Sequence, residues 1–296
     1  MTFKAILKNA RARPWSVGGR TITGNPTPAI MGIVNVTPDS FFDGGKHNTT
    51  DLALEHALML LDQGATILDI GGESSRPGST PVPEAEELAR VLPLVQKLFA
   101  LTSQKSFFIS IDTVKSQVAK QSMKAGAHIV NDISALRFDS KMANVIYETG
   151  ASSVLNHMRG NFGTMQQDFE PYQDVVADVR KDLLKPVQQL VDLGVHPSSI
   201  CLDPGIGFGK TLQNNLDLIA ATEEYLPDGY PLLLGMSRKA YIGKVKGLEQ
   251  SDRLIPTVVS GIFAALGGAT VIRVHDVREA QESLTLLEAF RTDECV

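Results

Sequence analysis

Eight times between residues 29 and 274 the sequence repeats one unit: a short apolar run, a polar loop, and a stretch whose apolar residues recur at spacings of three and four. The runs cover 29–34, 67–70, 108–111, 129–130, 153–155, 200–202, 231–234 and 271–274. A run that is apolar at consecutive rather than alternate positions is buried on both faces, the condition of strands in a parallel sheet. The helical period predicts helices over 51–63, 84–101, 114–125, a short one over 141–148, then 175–193, 213–224, 257–266 and 277–290. Gly64, Gly126, Gly150, Gly194 and Gly267 follow these stretches where C-terminal caps belong. Eight such units in 296 residues, with no break in composition, predict an α/β fold of the (β/α)8 TIM-barrel type over 29–296, preceded by a separate segment over 1–28. An open doubly wound sheet is the structural alternative. Both architectures put ligands at the carboxyl ends of the strands.

The leading segment carries Lys4, Lys8, Arg11, Arg13 and Arg20, and no acidic residue precedes Asp39. From Trp15, W-S-V-G-G-R-T-I-T alternates around Gly18-Gly19 as a β-hairpin does, which predicts a cap on the barrel rather than a removable leader. A formal net charge of -5 argues against a general nucleic-acid binder. No apolar run approaches the roughly 18 residues needed to cross a bilayer. Cys201, inside an apolar run, and Cys295 make no disulfide framework and fit a reducing compartment, so we expect a cytoplasmic protein with Cys201 buried.

What stands just past each run bears on function. In order these are Asn35, then Glu73 with Ser74, Ser75 and Arg76, then Asp112, Asn131 with Asp132, Asn156 with His157, Asp203, Ser237 with Arg238 and Lys239, and, at the end of the last run, Arg273 inside it with His275 just past it. Each alone has a plain reading: Asp112 can be a helix cap, His157 a satisfied loop histidine, Asp132 and Arg238 partners of neighbouring loops. Together they put a polar group at every strand end of a barrel, and those ends converge on one mouth. Arg76, Arg273 and His275, with Asn35 as an oxygen ligand for a divalent cation, suit phosphate or pyrophosphate. Asp112, Asn131 and Asp203 suit a flat heterocycle whose guanidine-like edge needs paired acceptors, with Lys239 donating to a ring atom. The stretch C-L-D-P-G-I-G-F-G-K from Cys201 ends like a phosphate-binding P-loop, but Pro204 occupies the position of that motif's first glycine and offers no N–H. His47, His56, His128 and His196 read as surface or cap residues, and Glu86 and Glu87 as a solvated helix face. No protein nucleophile motif appears, which favours chemistry done by positioning and leaving-group stabilisation.

Seven blocks in order resemble the dihydropteroate synthases: M-G-I-V-N-V-T-P-D-S-F-F-D-G-G from Met31, D-I-G-G-E-S-S-R-P-G from Asp69, S-I-D-T from Ser110, V-N-D-I from Val130, L-D-P-G-I-G-F-G-K from Leu202, G-M-S-R-K from Gly235 and I-R-V-H-D-V from Ile272. The resemblance implies condensation of 6-hydroxymethyl-7,8-dihydropterin pyrophosphate with 4-aminobenzoate to 7,8-dihydropteroate and pyrophosphate. It assigns the pterin to Asp112, Asn131, Asp203 and Lys239, and the pyrophosphate, with Mg²⁺, to Asn35, Ser75, Arg76, Arg273 and His275. The 4-aminobenzoate pocket falls to Phe41, Asp43, Pro77, Phe208, Arg238 and Lys239, under loops over 36–48 and 74–83. In such enzymes pyrophosphate leaves first and the arylamine attacks the resulting pterin carbocation. A homodimer through barrel helices is implied as well.

The family's usual pattern is departed from at four places: Ala240 where serine is common, Asn156 for methionine, the pair Phe162-Gly163 where proline is common, and Pro256 for glycine. A methyltetrahydrofolate methyltransferase shares the pterin barrel but has no pyrophosphate to hold, so the S-S-R-P-G, S-R-K and R-V-H blocks favour the synthase. A non-catalytic pterin-binding paralogue is the other alternative.

Overall fold

The structure is a computed structural model that describes residues 12–37, 46–74, 79–161, 163–164 and 170–292, the side chains of 46–49 and 292 excepted. Strands β1 (Trp15–Val17) and β2 (Arg20–Ile22) form the expected antiparallel hairpin about Gly18-Gly19. Eight parallel strands follow: β3 (Ala29–Asn35), β4 (Ile67–Gly71), β5 (Phe108–Asp112), β6 (Ile129–Asp132), β7 (Ser152–Asn156), β8 (Ile200–Asp203), β9 (Leu233–Gly235) and β10 (Val271–Val274). Their order is β8-β7-β6-β5-β4-β3-β10-β9, and a parallel bridge from Leu202 to Leu232 joins β8 to β9, so the sheet closes on itself. The barrel expected from the sequence is the one observed, and the open sheet is excluded.

Among the described residues the helices are α1 (Lys46–Asp62), α2 (Glu84–Phe99), α3 (Ser116–Lys124), α4 (Met142–Thr149), α5 (Val175–Asp192), α6 (Leu212–Ala220), α7 (Leu254–Leu266) and α8 (Val277–Thr292). Each lies within a few residues of its predicted span. The largest shortfall is at α6, where the chain tightens into a 3-10 segment, Thr222–Asp228, that contains Pro227 and is ended by Gly229. α7 starts at Leu254, ahead of the predicted 257, because Pro256 falls in the first turn, where its missing N–H has no intrahelical role.

Strand residues alternate between two cores. Outward residues such as Ile30, Val34, Leu68, Ile109, Ile111, Leu155 and Leu202 pack under the helices. Inward, every strand contributes one residue to a single apolar layer: Met31, Ile67, Phe108, Ile129, Val154, Cys201, Leu233 and Val271. Trp15, Val17 and Ile22 of the hairpin complete that layer, which makes the hairpin a plug across the amino-terminal end of the barrel. Trp15 is fully buried and donates its indole N–H to the Ser199 carbonyl at 3.0 Å, and Arg20 lies over the Phe108 ring at 3.9 Å. With one end filled, the other is left to build a site.

Candidate functional site

Side chains on a strand alternate, so two residues beyond each member of the apolar layer the chain again faces the barrel interior. Those positions are Ile33, Asp69, Ser110, Asn131, Asn156, Asp203, Gly235 and Arg273. A polar floor thus lies directly on the apolar plug. Asn35, Gly71 and Asp112 stand one step further toward the mouth, in register across three neighbouring strands.

Arg273 is the centre of this floor. Its Nε donates to Asp69 Oδ2 at 2.6 Å and an Nη to Asp112 Oδ2 at 2.8 Å. Asn131 donates from Nδ2 to the same Asp69 oxygen at 3.0 Å. Burial works against the Arg273 cation, but the two carboxylates overcome it and hold its pKa above the ordinary arginine value. Burial pushes Asp112 up to about 7, with Arg273 opposing and the charges of Asp69 and Glu87 adding to the rise. It pushes Asp203 up to about 6, opposed by the Gly205 N–H and by Lys239. These carboxyls are poised near neutrality and gain by ionising against a cationic or N–H-rich partner.

Two glycines keep the space open. A Cβ on Gly71 would sit 3.6 Å from Asn35 Oδ1 and 3.9 Å from Asp112 Oδ2, and one on Gly235 would sit 3.7 Å from Asp203 Oδ2 and 3.9 Å from Arg273. Asn35 and Asp112 therefore share one gap, and Asp203 and Arg273 another.

Asp203 ends β8, and its Oδ1 accepts the Gly205 N–H at 2.7 Å, which turns the chain into the glycine loop. Gly205 has φ +71, and a Cβ there would lie 1.8 Å from the His157 carbonyl oxygen, so only glycine fits. Lys210 fastens this loop: its buried Nζ donates to the carbonyls of Gly205 at 2.9 Å, Phe208 at 3.1 Å and His157 at 3.3 Å, and lies 3.0 Å from His157 Nδ1. Burial pushes the Lys210 ammonium down to about 7. The loop so held presents Phe208 beneath Lys239, whose Nζ stands 4.0 Å above the ring. Burial first, then Arg273, lowers Lys239 to about 8.

His275 shares the rim with Ser237, whose hydroxyl lies 3.0 Å from Nδ1 and accepts the His275 backbone N–H at 3.1 Å. Burial and the Arg273 charge lower it to about 4, so the ring is neutral at physiological pH. Arg238 stays at the rim with its guanidinium paired to Asp276. Phe41, Asp43, Ser75, Arg76 and Pro77 lie outside the described residues, as does Phe162.

Several plain readings hold. His157 is buried, lowered to about 3 by burial and then by Lys210, and satisfied by Lys210 at Nδ1 and by Asp182 of α5, 3.6 Å from Nε2. Asp132 folds back on the Ser134 and Leu136 N–H groups. His196 caps the turn at Pro197, and Asn156 donates to the Ile133 carbonyl. One is corrected. Glu87 is not solvated but fully buried, paired with Lys115, while its neighbour Glu86 is exposed. Sequence reading also passed over Asp69, Lys115 and Lys210. Asp69 was within reach, because it follows Ile67 by the same two residues that separate Cys201 from Asp203. Glu87 shares the helical face of Val91, Leu94 and Leu98.

The family model described as pterin binding enzyme matches residues 31–275. Dihydropteroate synthase of Escherichia coli K12 is 43% identical over 262 residues, covering 88% of this chain and 91% of that protein. The enzyme of the same name from Mycobacterium leprae is 41% identical over 269 residues, covering 88% and 93%. The solved Xanthomonas albilineans dihydropteroate synthase with 4-aminobenzoic acid superposes with a TM-score of 0.85 at 39% identity, covering 95% of this chain and 99% of that one. The Burkholderia cenocepacia enzyme complexed with 7,8-dihydropteroate gives 0.83 at 38%, covering 96% and 98%. The Yersinia pestis enzyme with a sulfonamide drug gives 0.84 at 40%, covering 95% and 100%.

Proposed function

The chain belongs to the dihydropteroate synthases of the pterin-binding enzyme family, and from that premise we propose how its barrel mouth divides the work. The enzyme is a transferase that condenses 6-hydroxymethyl-7,8-dihydropterin pyrophosphate with 4-aminobenzoate, giving 7,8-dihydropteroate and pyrophosphate. The similar Yersinia pestis enzyme is solved with a sulfonamide drug, and we propose this chain as a target for such drugs as competitors of 4-aminobenzoate.

The observation that carries the division is the shared floor: Asp203, Asp112 and Asn131 surround gaps kept open by glycine, and Arg273 reaches across them. In our reading the pterin edge docks on Asp203 and Asn131, with Asp112 beside them and Lys239 donating to a ring heteroatom. A guanidine-like edge, donating its N–H groups, replaces part of what Arg273 now gives Asp112, which frees the guanidinium to turn toward the leaving pyrophosphate. The C–O bond breaks with its electron pair on pyrophosphate, stabilised by Arg273, His275 and, from the neighbouring loop, Ser75 and Arg76. The arylamine lone pair then forms the C–N bond and the nitrogen loses a proton. Phe208, Phe41 and Pro77 would wall the arylamine site, Asp43 would stand near the amine, and Arg238 would lie on the pocket's far side once released from Asp276.

Mg²⁺ fits this site as a hard cation completed by phosphate and water. The Asn35 amide oxygen faces the gap beside an Asp112 oxygen, and one or two protein oxygens suffice when the substrate brings its own. The ion would neutralise the pyrophosphate. We also place the reaction in the cytoplasm; no described helix is long and apolar enough to cross a membrane. A homodimer is supported by an apolar stripe on α7, with Ile255 73%, Val259 48% and Phe263 58% exposed at successive fourth positions, beside Leu286 and Phe290 of α8. Calorimetry with Asp203→Ala tests the pterin assignment: affinity for the pterin pyrophosphate should fall about 10²-fold, since charge-assisted hydrogen bonds are lost. Unchanged affinity would contradict it.

A further inference from the structure

The β4-to-α2 loop, which holds Ser75, Arg76 and Pro77, is tied down at its stem by a buried ion cluster outside the mouth. Glu73, two residues before Ser75, accepts the Val82 N–H on Oε1 at 2.8 Å and Lys115 on Oε2 at 2.5 Å. It therefore joins the two ends of the loop. Lys115 also donates to Glu87 Oε2 on α2. Glu87 is fully buried, and its other oxygen has no hydrogen-bond partner among the described residues, so Lys115 is its principal compensation. α2 is pressed against the same stem: a Cβ on Gly72 would meet Val91 Cγ1 at 2.8 Å, and Arg90 donates to the Gly72 carbonyl at 2.7 Å. Lys115 itself stands three residues after Asp112, immediately before α3, its backbone N–H bonded to Thr113 Oγ1 at 3.2 Å. One ammonium thus connects the strand that ends in a pterin-facing carboxylate to the stem of the loop that brings a cation to the pyrophosphate.

We propose that Lys115 is a positioning residue for the reaction, and that through Glu73 and Glu87 it fixes the described stem of the β4-to-α2 loop, at 72–74 and 79–82, relative to the Asp112 strand. The inference rests on the reading of the mouth given above. Lys115 touches no substrate atom in that reading, so its loss leaves the pterin seat intact and misplaces the loop. A misplacement of about an ångström at a reacting centre costs on the order of 10²-fold in rate.

The test compares Lys115→Met, Lys115→Arg and Glu73→Gln with the wild type in kcat, in KM for each substrate, and in calorimetric affinity for the pterin pyrophosphate. Rates are normalised to folded enzyme by circular dichroism. Lys115→Met is expected to lose about 10²-fold in kcat and keep pterin affinity within about threefold. Lys115→Arg is expected to recover most of the rate. Glu73→Gln leaves the Lys115–Glu87 pair in place, so it reports the loop connection even where Lys115→Met folds poorly, and it should lower kcat in the same direction. The proposal is overturned by a folded Lys115→Met or Glu73→Gln enzyme with wild-type kcat, or by losses in rate and pterin affinity that follow one another. Absence of turnover in the wild type would overturn the functional reading and this inference with it.

Discussion

The acidic residues of the barrel floor are held at pKa values that make binding sensitive to pH. Asp203 near 6 and Asp112 near 7 take up protons that an unfolded chain, with ordinary carboxylates, has already released. By linkage their contribution to stability is present in acid and lost as pH rises from about 4 through 7, so these two sites lower the melting temperature of the ligand-free protein at pH 7.5 relative to pH 5. The cleaner readout is binding, because a guanidine-like edge favours the ionised acids. Calorimetry in buffers of differing ionisation heat should show proton release when the pterin pyrophosphate binds at pH 6, and tighter binding as pH rises toward 7.5; proton uptake would contradict the assignment. For Arg273→Ala we expect kcat to fall about 10²- to 10³-fold from lost leaving-group stabilisation. The same change strips buried Asp69 of its cation, so the rate must be compared per folded molecule. A normal rate would remove Arg273 from the chemistry.

At the scale of elements, the hairpin and the glycine loop set the two ends of the barrel. Trp15→Ala opens a cavity in the apolar plug and leaves the Ser199 carbonyl without its donor; a loss of about 3–5 kcal/mol is expected in urea unfolding, with little change in KM. A large change in KM would mean that the plug shapes the mouth. The strands were legible in the sequence because each is a short apolar run between glycine- or proline-marked turns, and the hairpin because Gly18-Gly19 sits between alternating residues. Several strands nevertheless run one or two residues beyond the apolar run, so that Asn35, Asp112, Asn131, Asn156 and Asp203 are strand residues rather than loop residues. A closed barrel buries polar side chains inside itself while the backbone ladder continues, and composition cannot signal that. Glu87 and Lys115 were illegible for a related reason: each looks like a surface charge until the loop stem between them is folded. Lys210 was read only against the P-loop pattern, whereas its role is set by three carbonyls that the loop's turns bring together.

For the whole molecule, the apolar stripe on α7 and α8 is expected to be covered by a second copy. Phe263→Glu should give a monomer in sedimentation while the far-ultraviolet spectrum stays unchanged; a wild type that sediments as a monomer at micromolar concentration would refute the dimer. We propose the mouth as a place where one ligand edge is read by carboxylates and its far end is discharged onto cations. The most direct test is to mix the protein with 6-hydroxymethyl-7,8-dihydropterin pyrophosphate, 4-aminobenzoate and Mg²⁺ and to follow both products. Pyrophosphate and 7,8-dihydropteroate formed in equal amounts are the predicted result. Pterin binding without pyrophosphate release, or methyl transfer to a corrinoid in its place, would contradict it.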